Sequence, residues 1–124
     1  MINPLQDIER LLPLLDMAFQ AEQMKMAKIA RRIADLKQSL LDLERPARAD
    51  ALSAATLAGA DLRWDRWAHD RKLLINQELI VALRNREAAR GHMIAALSKR
   101  EAANRMQSRA QRDVRQIAQR RASW

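Results

Sequence analysis

Few side chains in this sequence are of the types that carry out catalysis or bind metal ions. The chain has two histidines, His69 and His92, and no cysteine. Asp65 lies four residues before His69, so the two side chains can meet on one face of a helix. A surface pair is the ordinary interpretation, because no third ligand type accompanies either histidine and there is no glycine-rich phosphate loop or nucleophile motif. We therefore expect a protein that is not an enzyme and has no cofactor or metal ion.

The net charge of +8 is concentrated in the last third of the chain. Basic and acidic residues balance up to residue 83, whereas residues 84–124 contain eleven basic residues, ten of them arginine, and three acidic ones. Such a block is either a solvated face or a surface for an acidic partner. The arginines nearest the C-terminus are Arg105, Arg109, Arg112, Arg115, Arg120 and Arg121.

These arginines allow three interpretations: a solvated coiled-coil face, a contact with an acidic cavity of another protein, or nucleic-acid binding. Contacts to a nucleic-acid backbone need only Arg and Lys. However, no aromatic residue is interleaved with the arginines, and neither zinc ligands nor a leucine zipper accompanies them. A membrane-surface helix is less favoured still, because the intervening apolar residues lack Trp, Phe and Leu.

The composition indicates that helices position these residues. Strong helix formers dominate, and two glycines and three prolines leave few signals for turns. The absence of cysteine is typical of a reducing compartment, and we find no secretory signal and no apolar stretch long enough to span a membrane. We expect a cytoplasmic, all-helical protein.

Helix one is predicted over about residues 4–45, with Asn3 as its cap and Pro4 at the first helical position. Its seam has twelve positions spaced alternately by three and four residues, and eleven of them are apolar, which is typical of a coiled coil. Pro13 predicts a kink, or a helix that begins near Leu12. The seam consists of Leu5, Ile8, Leu12, Leu15, Phe19, Glu22, Met26, Ile29, Ile33, Leu36, Leu40 and Leu43.

The predicted tip comprises residues 46–60, because Pro46 ends helix one. A short helix from about Asp50 to Ala58, ended by Gly59, fits this segment. Asp61 is the predicted cap of helix two, which extends over about residues 61–121.

Helix two carries a broad apolar face that is wider than a two-helix seam requires. Either the tip segment or a bend fills the extra width, or another protein does. One stripe consists of Leu73, Ile80, Leu83, Ile94 and Leu97, and the neighbouring stripe of Ile75, Leu79, Ala82, Ala89, Met93, Ala96, Ala103, Ala110, Val114 and Ile117.

The two predicted helices differ in length. If the chain turns between Arg45 and Asp61, helix one pairs with residues 61 to about 102 and leaves residues 103–121 unpaired over roughly 25–30 Å. Trp64 and Trp67 then lie near the turn, where they either close the core or form an exposed aromatic anchor.

In its layout the sequence resembles the FliJ-type stalk proteins of bacterial flagellar export and their injectisome counterpart, YscO. The likeness comprises the heptad helix, the alanine-rich tip, and a second helix whose residues 62–67 read Leu-Arg-Trp-Asp-Arg-Trp and which ends in a basic tail. The chain departs from the family in its short length and at Asp70, where we would expect another aromatic residue.

The resemblance implies an antiparallel two-helix coiled-coil hairpin that acts as a non-enzymatic stalk or adaptor of bacterial type III protein export. Such a protein binds and stimulates the hexameric export ATPase, contacts the membrane export gate and has export chaperones as further partners. It is cytoplasmic, peripherally associated with the membrane export apparatus, and takes no small-molecule substrate. The alternative is a basic coiled-coil nucleic-acid-binding or scaffold protein. The predicted partner-binding residues are Trp64, Trp67, Leu74, Arg105, Arg109, Arg112 and Arg115.

Overall fold

A computed structural model describes residues 3–44 and 54–124 of the chain. These residues form two α-helices, α1 (Pro4–Leu43) and α2 (Ala54–Ala122), and no strand. The all-helical prediction is therefore confirmed, and the packing of α1 against α2 is consistent with a helical hairpin. The predicted end of helix one at Pro46 and the predicted start of a tip helix at Asp50 lie outside the described residues.

Helix α1 begins where its capping residue predicts. The Asn3 side-chain oxygen accepts hydrogen bonds from the backbone N–H groups of Leu5 and Gln6, at 3.1 and 3.4 Å. Pro13 lies inside the helix, so the expectation of a helix start near Leu12 is wrong. The cap and the packed residues of the first turns offset the backbone hydrogen bond that the proline ring removes.

The seam of α1 is confirmed at every position. Its twelve residues are all buried or half-buried, and every other described residue of this helix is exposed. The burial extends to Glu22, the one charged residue of the seam. A regular heptad pattern in a helix of this length therefore identified its packed side without error.

Helix α2 begins earlier than predicted, at Ala54. Gly59 and Asp61 lie inside it, so the predicted helix end at Gly59 and helix cap at Asp61 are wrong. A glycine in a helix interior costs only about 1 kcal/mol relative to alanine, and the neighbouring alanines are the best helix formers. Apart from the neighbouring helix backbone, no atom of the described part of the chain lies within 4 Å of the position that a Cβ would occupy at Gly59.

The chain divides into two compact units. The first unit is Met1–Met26 with Ala88–Trp124, and the second is Ala27–Glu87. In the second unit Arg32 donates a hydrogen bond of 2.8 Å from α1 to the Glu78 carboxylate on α2. The core of this unit consists of Ile33, Leu36, Leu43, Ala68, Ile75 and Ala82, with Ile29, Leu40, Trp64, Leu79 and Leu83 packed against it.

One of the two apolar stripes of α2 forms most of the seam with α1. The small-residue stripe is buried or half-buried up to Ala110, with Ile75 2% and Ala103 4% exposed. The other stripe mostly points outward, since Leu73, Ile80 and Ile94 are each about half exposed. Small side chains let two helices approach closely, so the large residues of α1 fit against the alanines of α2.

Candidate interaction surfaces

The unpaired end of α2 is shorter than predicted. Ala103 is buried, Gln107 and Ala110 are half-buried, and all residues from 111 to 124 are exposed. The expectation that residues 103–121 are unpaired is therefore wrong in its first heptad. We call residues 111–122 the C-terminal extension; at 1.5 Å per residue the extension is roughly 18 Å long.

The difference has its origin in the register of the two helices. Leu43, the last residue of α1, belongs to the same core cluster as Ala68. The end of α1 thus packs near Ala68, one heptad beyond the predicted start of pairing at Asp61.

The predicted arginines divide between two locations in the first unit. Arg105 and Arg109 lie on the exposed side of the paired part of α2, whereas Arg112 and Arg115 lie on the C-terminal extension. Arg105, Arg109 and Arg112 line one shallow groove together with Asn104 and Ser108. Guanidinium groups in such a row can bind carboxylates or phosphates in bidentate geometry.

The C-terminal extension is amphipathic. Val114 and Ile117 are 52% and 50% exposed, although they continue the small-residue stripe that is packed in the preceding turns of α2. Ile117 lines a second shallow groove with Arg120, Arg121 and the fully exposed Trp124. An apolar stripe beside several arginines is the pattern expected of a helix that docks into an acidic, partly apolar site.

The two tryptophans of the second unit divide between core and surface. Trp64 is half-buried and packs against the core cluster, whereas Trp67 is 53% exposed. Their ring centres are 5.2 Å apart with the planes tilted by 38°. Leu74, seven residues after Trp67 on the same side of α2, is 51% exposed. The ring of Trp64 thus lies between the core and the ring of Trp67. Trp67 and Leu74 are available for contact with another molecule.

One interhelical cluster in the first unit has no counterpart among the predicted residues. Arg100 on α2 places its guanidinium carbon 4.3 Å from the centre of the Phe19 ring on α1. The Nη1 atom of Arg100 lies 3.6 Å from Asp16 Oδ1. The spacing of Arg100 from Ala96 and Ala103, four and three residues, is the sequence signal that assigns it to the seam.

The residues considered for catalysis lie apart from these surfaces. Asp65, His69 and His92 are all exposed. Within residues 3–44 and 54–124, no group of three or more His, Cys, Asp and Glu side chains is placed to hold a metal ion. In the same part of the chain, neither helix contains a stretch that is long and apolar enough to cross a membrane.

Comparison of the chain with protein-family models, with curated proteins and with solved structures finds no match in any of the three. The resemblance to export stalk proteins therefore depends on the layout and the residues quoted above.

Proposed function

We propose that this chain is a non-enzymatic stalk or adaptor of a bacterial flagellar or other type III protein export apparatus. In this role it binds and stimulates the hexameric export ATPase and contacts the membrane export gate, with export chaperones as further partners. Its location is the cytoplasm, at the periphery of the membrane apparatus. The observation that carries the proposal is the exposed, amphipathic and arginine-bearing C-terminal extension.

The C-terminal extension is suited to insertion into another protein. An isolated helix of this length is only marginally stable in water, but here it continues a helix whose earlier turns are packed. The partner therefore meets a helix that is already formed, which lowers the conformational entropy lost on binding. Arg112 and Arg115 then approach acidic side chains or backbone carbonyls, while Val114 and Ile117 enter apolar surface.

We also propose that the two helices form an antiparallel two-helix coiled coil. The heptad seam of α1 and the matching seam of α2 support this arrangement. In the second unit, Leu36 and Leu43 share a core with Ile75 and Ala68. Arg32 and Glu78 form the interhelical ion pair expected at the edge of such a seam.

Contact with the export gate is assigned to the side of the second unit that carries Trp67 and Leu74. Both side chains are about half exposed, and Trp64 holds the Trp67 ring from the core side. Tryptophan is enriched among the residues that dominate binding energy at protein interfaces. Asp70 lies between Trp67 and Leu74, so this surface is more polar than the aromatic patch expected from the resemblance.

The deciding experiment measures ATP hydrolysis by the cognate export ATPase as the full-length chain is added. We expect saturable stimulation, and we expect it to be lost when Arg112 and Arg115 are both replaced by Glu. A variant with Glu at Arg31 and Arg63, two exposed arginines of the second unit, is the matched control and should stimulate normally. Failure of the unmodified chain to stimulate the ATPase would refute the proposal.

Nucleic-acid binding is the second candidate, favoured by the groove in which Arg105, Arg109 and Arg112 lie beside Asn104 and Ser108. Phosphate contacts from these arginines would give binding that weakens steeply with salt. Fluorescence anisotropy of a short labelled duplex, titrated with the chain at low and high salt, tests this function. Binding lost in an Arg105→Glu/Arg109→Glu variant, together with no ATPase stimulation, would favour it over the stalk. A scaffold role remains the third proposal and predicts neither result.

A further inference from the structure

We propose that the outer side of α2 in the second unit binds the same surface of a second copy of this chain, antiparallel, about an axis at Gln77. This inference is independent of the proposed contact with the export ATPase, since it uses neither the C-terminal extension nor its arginines. We call the surface the outer α2 face. It consists of Asp70, Leu73, Leu74, Gln77, Ile80, Val81 and Arg84.

The outer α2 face is a second apolar surface on the exposed side of α2, and Gln77 and Val81 also line a shallow groove with Arg32 of α1. Leu73 and Leu74 lie three and four residues after Asp70, Gln77 lies three and four residues after them, and the same spacings continue through Ile80 and Val81 to Arg84, which places all seven on one face of the helix. All seven are exposed, whereas Ile75, Leu79 and Ala82 on the opposite side are buried or half-buried. Its four large apolar side chains are between 51% and 54% exposed. Such a group of neighbouring apolar side chains is typical of an interaction site.

The residue types on this face are symmetric about Gln77. Leu73 and Leu74 lie four and three residues before it, and Ile80 and Val81 lie three and four residues after it. Asp70 and Arg84 lie seven residues before and after it, with opposite charges. This order of residues is what an isologous contact requires, because each residue i of one copy there meets residue j of the other, and j meets i.

In an antiparallel pair of outer α2 faces, every one of these side chains lies opposite a side chain of complementary type. The leucines of one copy contact Ile80 and Val81 of the other, and the two Gln77 amides can donate to and accept from each other. Asp70 of each copy lies opposite Arg84 of the other, which forms two ion pairs. A parallel pair would instead place Asp70 against Asp70 and Arg84 against Arg84. Charge thus selects the antiparallel alignment.

The size of the face predicts a weak dimer. From Asp70 to Arg84 the helix rises roughly 21 Å, so the buried area falls below the range of about 1,200–2,000 Å² that is usual for stable complexes. The dimer should therefore form and dissociate with concentration. Because Leu74 belongs to the same face, a dimer would also cover a residue that the proposed gate contact uses.

Cysteine crosslinking of the full chain tests the alignment, because the unmodified sequence has no cysteine. Gln77→Cys should give a disulfide-linked dimer under mild oxidation. Asp70→Cys alone and Arg84→Cys alone should each form no disulfide-linked dimer. Equivalent positions in the two copies would be roughly 21 Å apart, and a disulfide needs Cα atoms within about 7 Å. A mixture of these two variants should crosslink. Ser98→Cys, an exposed position in the first unit, is the background control.

Sedimentation equilibrium over a range of concentrations provides the second test. Asp70→Arg or Arg84→Asp alone should raise the dissociation constant about tenfold, since each places like charges opposite each other. The double variant with both changes should restore the dimer. Circular dichroism confirms that each variant remains helical.

Three outcomes would overturn the inference. They are a chain that stays monomeric at every concentration, Gln77→Cys crosslinking no better than Ser98→Cys, and a double variant that associates no better than the single ones. Efficient crosslinking of Asp70→Cys with itself would overturn the antiparallel alignment.

Discussion

The guanidinium carbon of Arg100 lies 4.3 Å from the centre of the Phe19 ring, a cation–π contact between α2 and α1 in the first unit. Arg100 occupies a seam position of α2, where a charged group would ordinarily be unfavourable. Its planar group stacks on the aromatic ring while Nη1 reaches Asp16 Oδ1 at 3.6 Å. The contact thus allows a charged residue in the seam without leaving the charge unsatisfied.

We expect Arg100→Lys to lower the free energy of unfolding by about 1 kcal/mol, because lysine keeps the charge but loses the planar stacking on Phe19. Asp16→Asn should have a smaller effect, since the Asp16 side chain is 53% exposed and such ion pairs contribute little. Urea denaturation followed by circular dichroism measures both. Arg105→Lys, at an exposed position of the same helix, is the control and should leave stability unchanged.

Glu22 is the next position where the seam departs from its apolar pattern. Its Oε2 atom is buried and has no hydrogen-bond partner among the described residues, and its Oε1 lies 3.4 Å from Lys25 Nζ. Glu22→Leu should raise the free energy of unfolding by about 1–2 kcal/mol, because it removes an unsatisfied buried oxygen and completes the heptad. Glu9→Leu, exposed on the same helix, should not stabilise the protein. Equal gains from both would contradict the explanation.

The contrast between the two stripes of α2 predicts different effects for two similar truncations. Ile75 is 2% exposed and Leu73 is 51% exposed. Ile75→Ala should destabilise the protein by about 2–4 kcal/mol, since it removes buried methyl groups and leaves a cavity. Leu73→Ala should cost less than about 1 kcal/mol in the monomer. Thermal melts at low protein concentration compare them, and a reversed order would contradict the assignment of the seam.

The alanines of the α2 seam should resist enlargement. Ala103 is 4% exposed, whereas its neighbour Ala102 is exposed. Ala103→Leu should destabilise by about 1–3 kcal/mol, because a large side chain there forces the helices apart. Ala102→Leu should change stability by no more than about 0.5 kcal/mol. Chemical denaturation of the two variants under identical conditions makes the comparison.

Both glycines lie within α2, and among the described residues no atom beyond the adjacent helix backbone lies within 4 Å of the position of an added Cβ at either one. Gly59→Ala and Gly91→Ala should therefore each stabilise the protein by about 0.5–1 kcal/mol, through higher helix propensity and a less flexible unfolded chain. If Gly59 instead ended a helix in the left-handed conformation, alanine would destabilise it. The sign of the change in melting temperature distinguishes the two cases.

Local sequence determined the helical class, the start of α1 at its Asn3 cap and all twelve seam positions of that helix. These features depend on short-range spacing and on one capping side chain, and the apolar residues of α1 outside the seam form no comparably regular series. The resemblance, the Trp pair and the arginines indicated candidate interaction surfaces. The sequence did not show that Trp64 packs against the core while Trp67 is exposed. That division depends on which residues of α1 lie opposite them.

Tertiary packing decided the choice between the two apolar stripes of α2 and the extent of its unpaired end. The stripe that contains Ile75 and the stripe that contains Leu73 are both apolar enough to form a seam. Only the fit of large α1 side chains against small α2 side chains selects the first. Register likewise depends on the sum of contacts such as that between the Leu43 and Ala68 regions, residues far apart in sequence.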